Sequence, residues 1–142
     1  MTVYHVNELT LELPAGYVDR SYTLFANPSG QISINITRDD LAIPAGDSLA
    51  TLVAKQLKRL AKDWPRFCIS DQCDREGGGR ACREARIQWM PDRVLMYQHQ
   101  IYVPYYDTLV TITASAAKKL AAQCDGYLNQ TVDGMKFRKQ LS

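Results

Sequence analysis

The chain has 142 residues, 46% hydrophobic and 23% charged, with 17 basic against 15 acidic side chains and a formal net charge of +2. That is one domain's length, able to bury roughly two-thirds of its unfolded surface without a disulfide or metal staple. The composition excludes a disordered chain, and the charge balance excludes the strong positive field that non-specific nucleic-acid binding needs.

Met1 to Leu13 carries Glu8 and Glu12 and no basic n-region, unlike a secretory signal peptide. No apolar run approaches the roughly 20 residues that span a bilayer, so a cytoplasmic protein without membrane insertion is expected. Within this start Leu9, Leu11 and Leu13 alternate with Thr10 and Glu12 as a first strand, which Pro14-Ala15-Gly16 stops. Ser21 to Ala26 and Gln31 to Thr37 are predicted strands joined through the turn residues Asn27-Pro28-Ser29-Gly30. The second of them alternates strictly, Ile32, Ile34 and Ile36 on one face, Ser33 and Asn35 on the other.

From Asp47 to Trp64 the period changes. Leu49, Leu52, Val53, Leu57, Leu60 and Trp64 follow helical spacing, Asp47 or Ser48 can cap the start, and Pro65 follows the end. Four strands come next, Phe67 to Arg75, Ala81 to Trp89, Val94 to Val103 and Thr108 to Ala114, separated by Gly77-Gly78-Gly79, Pro91-Asp92 and Pro104 to Asp107. Three hairpins in series are the expected topology. From Ser115 as cap, Ala117, Leu120, Ala121, Cys124, Tyr127 and Leu128 mark a second helix despite Gly126, and Met135 to Leu141 is a short tail. Without repeats, linkers or low-complexity stretches, residues 1–142 are expected to form a single domain.

Strands, helix, strands, helix imply an α+β fold: a twisted, mostly antiparallel β-sheet with two amphipathic helices covering one face. The other face should then be polar, yet Tyr22 and Leu24 share one side of their strand while Thr23 and Phe25 take the other. Likewise Val94, Met96, Gln98, Gln100 and Tyr102 oppose Leu95, Tyr97, Ile101 and Val103. A second face that is apolar but dotted with amides is one to be covered by something else.

Catalysis has little to stand on. The two histidines are His5 and His99, the latter on a strand among apolar neighbours and read as structural. Gly77-Gly78-Gly79-Arg80 lacks the phosphate-loop arrangements and precedes a strand, so it is a hairpin turn. Arg75, Arg80, Arg83, Arg86 and Arg93 interleave with Glu76, Glu84 and Asp92, as on a solvated, salt-bridged face. Asp39-Asp40 are adjacent and diverge in a regular segment. Cys68, Cys73, Cys82 and Cys124 fit neither a redox nor a zinc pattern and are expected as free thiols without metal. Cys68 and Cys73, an odd number apart, should face opposite sides of a regular strand and be buried as small hydrophobes. The glutamines are the unusual feature. Gln56 sits between Leu52 and Leu60 on the helical stripe that ends at Trp64, and Gln98 and Gln100 repeat the theme on a strand. An amide can satisfy polar groups of an incoming helix while its neighbours bury the apolar ones.

Leu13-Pro14-Ala15-Gly16, Asp19-Arg20-Ser21, Phe25, Ile36-Thr37-Arg38-Asp39, Gln56-Leu57, Trp89, Met96-Tyr97-Gln98 and Leu109 to Ala114 occur in an order and spacing that resembles the Eag chaperones of bacterial type VI secretion. These belong to a DcrB-like group with a PsbP-like α/β sandwich fold, and the resemblance runs from about Tyr4 to Phe137. It implies a homodimeric, non-enzymatic adaptor that needs no cofactor. Such an adaptor binds the N-terminal transmembrane region of a secreted toxin effector, often of the Rhs class, shields it in the cytoplasm and helps load it onto the secretion spike. Carried over by position, the pocket comprises Tyr22, Leu24, Asn35, the Gln56-Leu60-Trp64 stripe, Val94 and Gln98, with Met96 and Gln100 on the same strand face. Family members have small aliphatic residues where this chain has Tyr22 and Asn35. The alternatives are a small-molecule or lipid carrier using the same apolar sheet face, and an α+β-barrel enzyme.

Overall fold

The computed structural model describes residues 2–6, 9–15, 23–40, 48–106 and 108–138. The elements are β1 (Thr2–Val6), β2 (Leu9–Leu13), β3 (Thr23–Ala26), β4 (Ser33–Asp40), α1 (Leu49–Asp63), β5 (Cys68–Gly77), β6 (Arg80–Trp89), β7 (Met96–Tyr105), β8 (Thr108–Ala117) and α2 (Ala121–Asp133). β3 to β8 form one antiparallel sheet in the order β3-β4-β8-β7-β6-β5, and β1 pairs with β2 in a separate two-stranded ribbon. The α+β class and the three serial hairpins are as the sequence predicts.

Local chemistry sets the element ends. Ser48 caps α1, its hydroxyl accepting from Thr51 N at 3.2 Å, while the other candidate cap, Asp47, lies outside the described residues. At the far end Trp64 N donates to Leu60 O at 2.9 Å before Pro65 halts the helix. Asn27 organises the β3–β4 turn, where its side-chain Oδ1 accepts from Ile32 N at 3.1 Å and its carbonyl from Gly30 N at 2.8 Å. Gly78 and Gly79, at φ +60° and +77°, make the two-residue β5–β6 turn.

Three features differ from expectation. First, β1 pairs with β2 along its whole length, a strand not foreseen before Leu9. Second, Ser115 does not cap a helix. β8 runs on to Ala117, since Ser115 finds ladder partners on both sides, Ser33 of β4 and Gln98 of β7. Ladder pairing on two sides outweighs the helical propensity of the alanines. A 3-10 turn over Lys118–Leu120 then leads into α2, whose entry has no side-chain cap.

Third, the helices cover opposite faces of the sheet. Val53 and Leu57 of α1 are buried with Ala85, Ile87, Tyr102 and Leu109. Cys124, Leu128 and Val132 of α2 are buried with Cys82, Tyr97, Ile101, Val110, Ile112 and Ala114. Strand alternation puts these two sets on opposite sides. The cause is connectivity. The link from β4 to β5 has to pass β8, β7 and β6, and α1 does so over one face, whereas α2 folds back from β8 over the other.

Candidate functional site

The register collects five of the sequence-predicted residues, Leu24, Asn35, Met96, Gln98 and Gln100, on the α1-side face. Leu24 lies opposite Asn35, Asn35 opposite Thr113, Thr113 opposite Gln100 and Gln100 opposite Ala85, one row crossing five strands. The next row is Ala26, Ser33, Ser115, Gln98 and Ile87, and the one after it holds Ala117, Met96 and Trp89. With strands about 4.8 Å apart, Leu24 and Gln100 stand about 14 Å apart. α1 lies over the β6 end of this face, while β3 at the other edge is exposed throughout.

Within this surface the predicted residues differ. Leu24 is 57% exposed, whereas Val94, expected to continue the strand face, lies before β7 in the β6–β7 connection and is outside the register of this surface. Asn35 is half-buried, yet its Oδ1 is shut off from water without a hydrogen-bond partner. Gln98 is half-buried, and Gln100, 5% exposed, is internally satisfied: it donates from Nε2 to Gln98 Oε1 at 2.9 Å and accepts from Tyr102 OH. Leu60 and Trp64 pack into the α1 core cluster, the Trp64 ring 4.4 Å from that of Trp89, and Gln56 is half-buried beside them. Tyr22 lies outside the described residues. Between the amides run Ser33, Thr37, Thr111, Thr113 and Ser115, a band of hydroxyls along β4 and β8 that the search for amides did not single out. Their alternation with Ile34, Ile36, Val110, Ile112 and Ala114 was the available signal.

Beneath α2 the opposite face holds a charged cluster. His99 is fully buried between two carboxylates: Nε2 meets Glu84 Oε1, and Nδ1 lies 2.9 Å from Asp125 Oδ1. Asp125 Oδ1 also accepts from Tyr97 OH at 2.5 Å. Arg86 reaches Glu84 at 3.4 Å, and Arg75 lies 3.7 Å from Glu84 and donates to Asn129 Oδ1 of α2 at 2.8 Å. Arg83 with Asp74 is a surface pair as expected, but the Glu84 network is buried and ties α2 to the sheet. His99 is structural, as the sequence indicates. Neither of its nitrogens is open to a substrate.

Cys68 and Cys73 are exposed, not buried, and they share a face. The register shift between Ile69 and Asp71 sets Cys68 opposite Gln88 and Cys73 opposite Glu84, both even positions of β6. Four residues of β6, about 13 Å, separate those partners, too far for a disulfide. Partial desolvation and then the Glu84 carboxylate raise the Cys73 thiol, which keeps it protonated and a poor nucleophile. Among the described residues no His, Cys, Asp and Glu grouping is arranged to hold a metal, and no helix is long and apolar enough to cross a membrane.

The DcrB family profile matches residues 8–134. The chain belongs to the DcrB family. This DcrB-family chain is 29% identical over 108 residues to the protein named effector EagT6 of Pseudomonas aeruginosa strain PAO1, covering 72% of this chain and 73% of that one. The crystal structure of PA94, a protein of unknown function from Pseudomonas aeruginosa, superposes with a TM-score of 0.73 at 23% identity, covering 99% of both chains. The solution structure of cyanobacterial PsbP from Synechocystis gives a TM-score of 0.49 at 11% identity, covering 86% of this chain and 95% of that one.

Proposed function

We propose that this DcrB-family protein is a non-catalytic cytoplasmic chaperone for a type VI secretion effector, whose N-terminal transmembrane helices it holds on the α1-side sheet face. The observation that carries this reading is the gathering of Leu24, Asn35, Met96, Gln98 and Gln100 on that face. The relation to EagT6 supports an effector-linked role. The surface suits a membrane-type helix. Leu24 offers apolar contact, while the half-buried Gln98 and the hydroxyls of Thr113 and Ser115 can pair with hydroxyls and exposed carbonyls of the helix. Holding apolar helices there would keep them from aggregating before the effector joins the spike.

The same reading includes a homodimer, in which the short uncharged edge strand β3 and a twofold mate shelter the groove. Co-expression with the effector's N-terminal region tests both parts. The region should stay in the soluble fraction bound to this protein, and light scattering of the free protein should give twice the 16.0 kDa chain mass. Precipitation of that region regardless of the chaperone would defeat the reading.

A further inference from the structure

The α2-side face holds a second, unassigned feature. α2 lies over β7 and β8, and beyond it β4 presents Ile34 and Ile36, each bordering a cavity. One cavity, about 170 Å³, sits by the β3–β4 turn between Ile34, Phe25 and Tyr127. The other, about 340 Å³, lies at the opposite end of β4, walled by Ile36, Ile112 and Phe137. Ile34 and Ile36 are successive on one face, so the cavities are neighbours along the roughly 20 Å of strand from Ile32 to Arg38.

The two ends differ in charge. The small cavity is almost wholly apolar, whereas Arg38, Lys136 and Arg138 border the large one, and among the described residues no carboxylate lines it. The acidic partners of the described ion pairs lie on β5, β6 and α2 instead. Arg80 adds a further cation 4.9 Å from the Tyr105 ring, which stacks at 5.1 Å on Phe137. The Phe137 ring packs closely on the β5–β6 turn, where a Cβ added at Gly78 would come within 2.9 Å of it. The Tyr105 and Phe137 rings form one wall of the cavity, and its volume of about 340 Å³ falls in the range of small-molecule sites.

We propose that this trough binds a single-chain anionic amphiphile, a long-chain carboxylate. The tail lies along Ile34 and Ile36 and the head group meets Arg38, Lys136 and Arg138. Arginine's planar fork suits a carboxylate, and the apolar strip suits the chain. The site lies on the face opposite the effector surface and does not depend on the chaperone reading.

Calorimetric titration of the full chain with laurate below its micelle concentration, and with dodecanol as the uncharged match, tests this. Laurate should saturate at one per chain and bind at least about tenfold tighter than the alcohol. Arg38→Gln with Arg138→Gln should weaken laurate about tenfold with unchanged circular dichroism, whereas Lys58→Gln with Arg59→Gln on α1 should not. Ile36→Trp should block both ligands. Equal affinity for laurate and dodecanol, or undiminished laurate binding in the double-glutamine variant, overturns the proposal. So does sedimentation with phosphatidylglycerol vesicles without uptake of monomeric laurate, which assigns the cations to a membrane surface.

Discussion

Gln100 donates its side-chain Nε2 to Oε1 of Gln98 at 2.9 Å, two residues away on the same face of β7. Because Gln100 also accepts from the buried Tyr102 hydroxyl, its amide is committed to the fold, and Gln98 is the one left to meet a partner. Gln100→Leu should therefore lower stability by about 1 to 3 kcal/mol, leaving the Tyr102 hydroxyl buried without an acceptor. Gln98→Ala takes away the acceptor of the buried Gln100 Nε2 and should also cost about 1 to 3 kcal/mol, but it should in addition weaken effector capture roughly five- to a hundred-fold. Urea denaturation beside a capture assay separates the two roles.

The His99 cluster makes a thermodynamic prediction. His99→Leu alone sets an apolar group against the Glu84 and Asp125 carboxylates while Arg75 and Arg86 still pair with Glu84, and should cost about 1 to 3 kcal/mol. His99→Leu with Glu84→Leu should cost less than the sum of the single changes, and a double-mutant cycle in denaturant measures the coupling. Additive effects would mean that the pair is not a unit.

Alkaline pH should unfold the protein early. Burial, then the neighbouring Asp125 carboxylate, pushes the Cys124 thiol from 9.0 up to about 11, and burial also raises the hydroxyls of Tyr97 and Tyr102 above their ordinary 10.0. Below pH 9 the thiol is neutral in folded and unfolded chains alike and its full contribution is present. Between pH 9 and 11 the unfolded chain releases a proton that the folded one keeps, so stability falls as pH rises, by roughly 1 to 3 kcal/mol for this group. The tyrosines extend the loss at higher pH. Thermal melts from pH 8 to 11 should show the decline, with its onset blunted in Cys124→Ala.

Thiol reactivity should divide evenly. Cys68 and Cys73 are exposed and Cys82 and Cys124 buried, so an aromatic disulfide reagent should modify two thiols in the native protein, Cys68 first and the raised Cys73 thiol more slowly, and four after denaturation. Four fast thiols in the native protein would mean that α2 does not stay docked.

Short-range chemistry was the legible part of the sequence. Asn27 to Gly30 announced their turn, Ile32, Ile34 and Ile36 their common face, and Ser48 its helix start. Periodicity names the side of a helix that is buried but not the sheet face it lands on, so α1 and α2 could not be assigned to opposite faces. The shift between Ile69 and Asp71 is one residue out of register, which parity counting cannot see, and it reversed the reading of Cys68 and Cys73. Ser115 looked like a cap because its ladder partners, Ser33 and Gln98, are distant in sequence. For the site, alternation along single strands located Leu24, Asn35, Met96, Gln98 and Gln100 on faces. Only strand order joined those faces into one surface.

If the effector's helices lie on the α1-side face as proposed, two neighbouring residues of β3 should differ sharply in their effect on capture. Leu24 and Phe25 are 57% and 56% exposed on the same edge strand, but they point to opposite faces, Leu24 beside Asn35 and Phe25 beside Ile34. Leu24→Asp and Phe25→Asp carry the same charge at nearly the same exposure, so effects on solubility should match. Capture of the effector's N-terminal region by each variant, with folding checked by circular dichroism, should be lost for Leu24→Asp, which sets an unpaired charge against apolar helix surface, and kept for Phe25→Asp. Capture kept by Leu24→Asp and lost by Phe25→Asp would place the helices on the other side of the sheet and contradict the account.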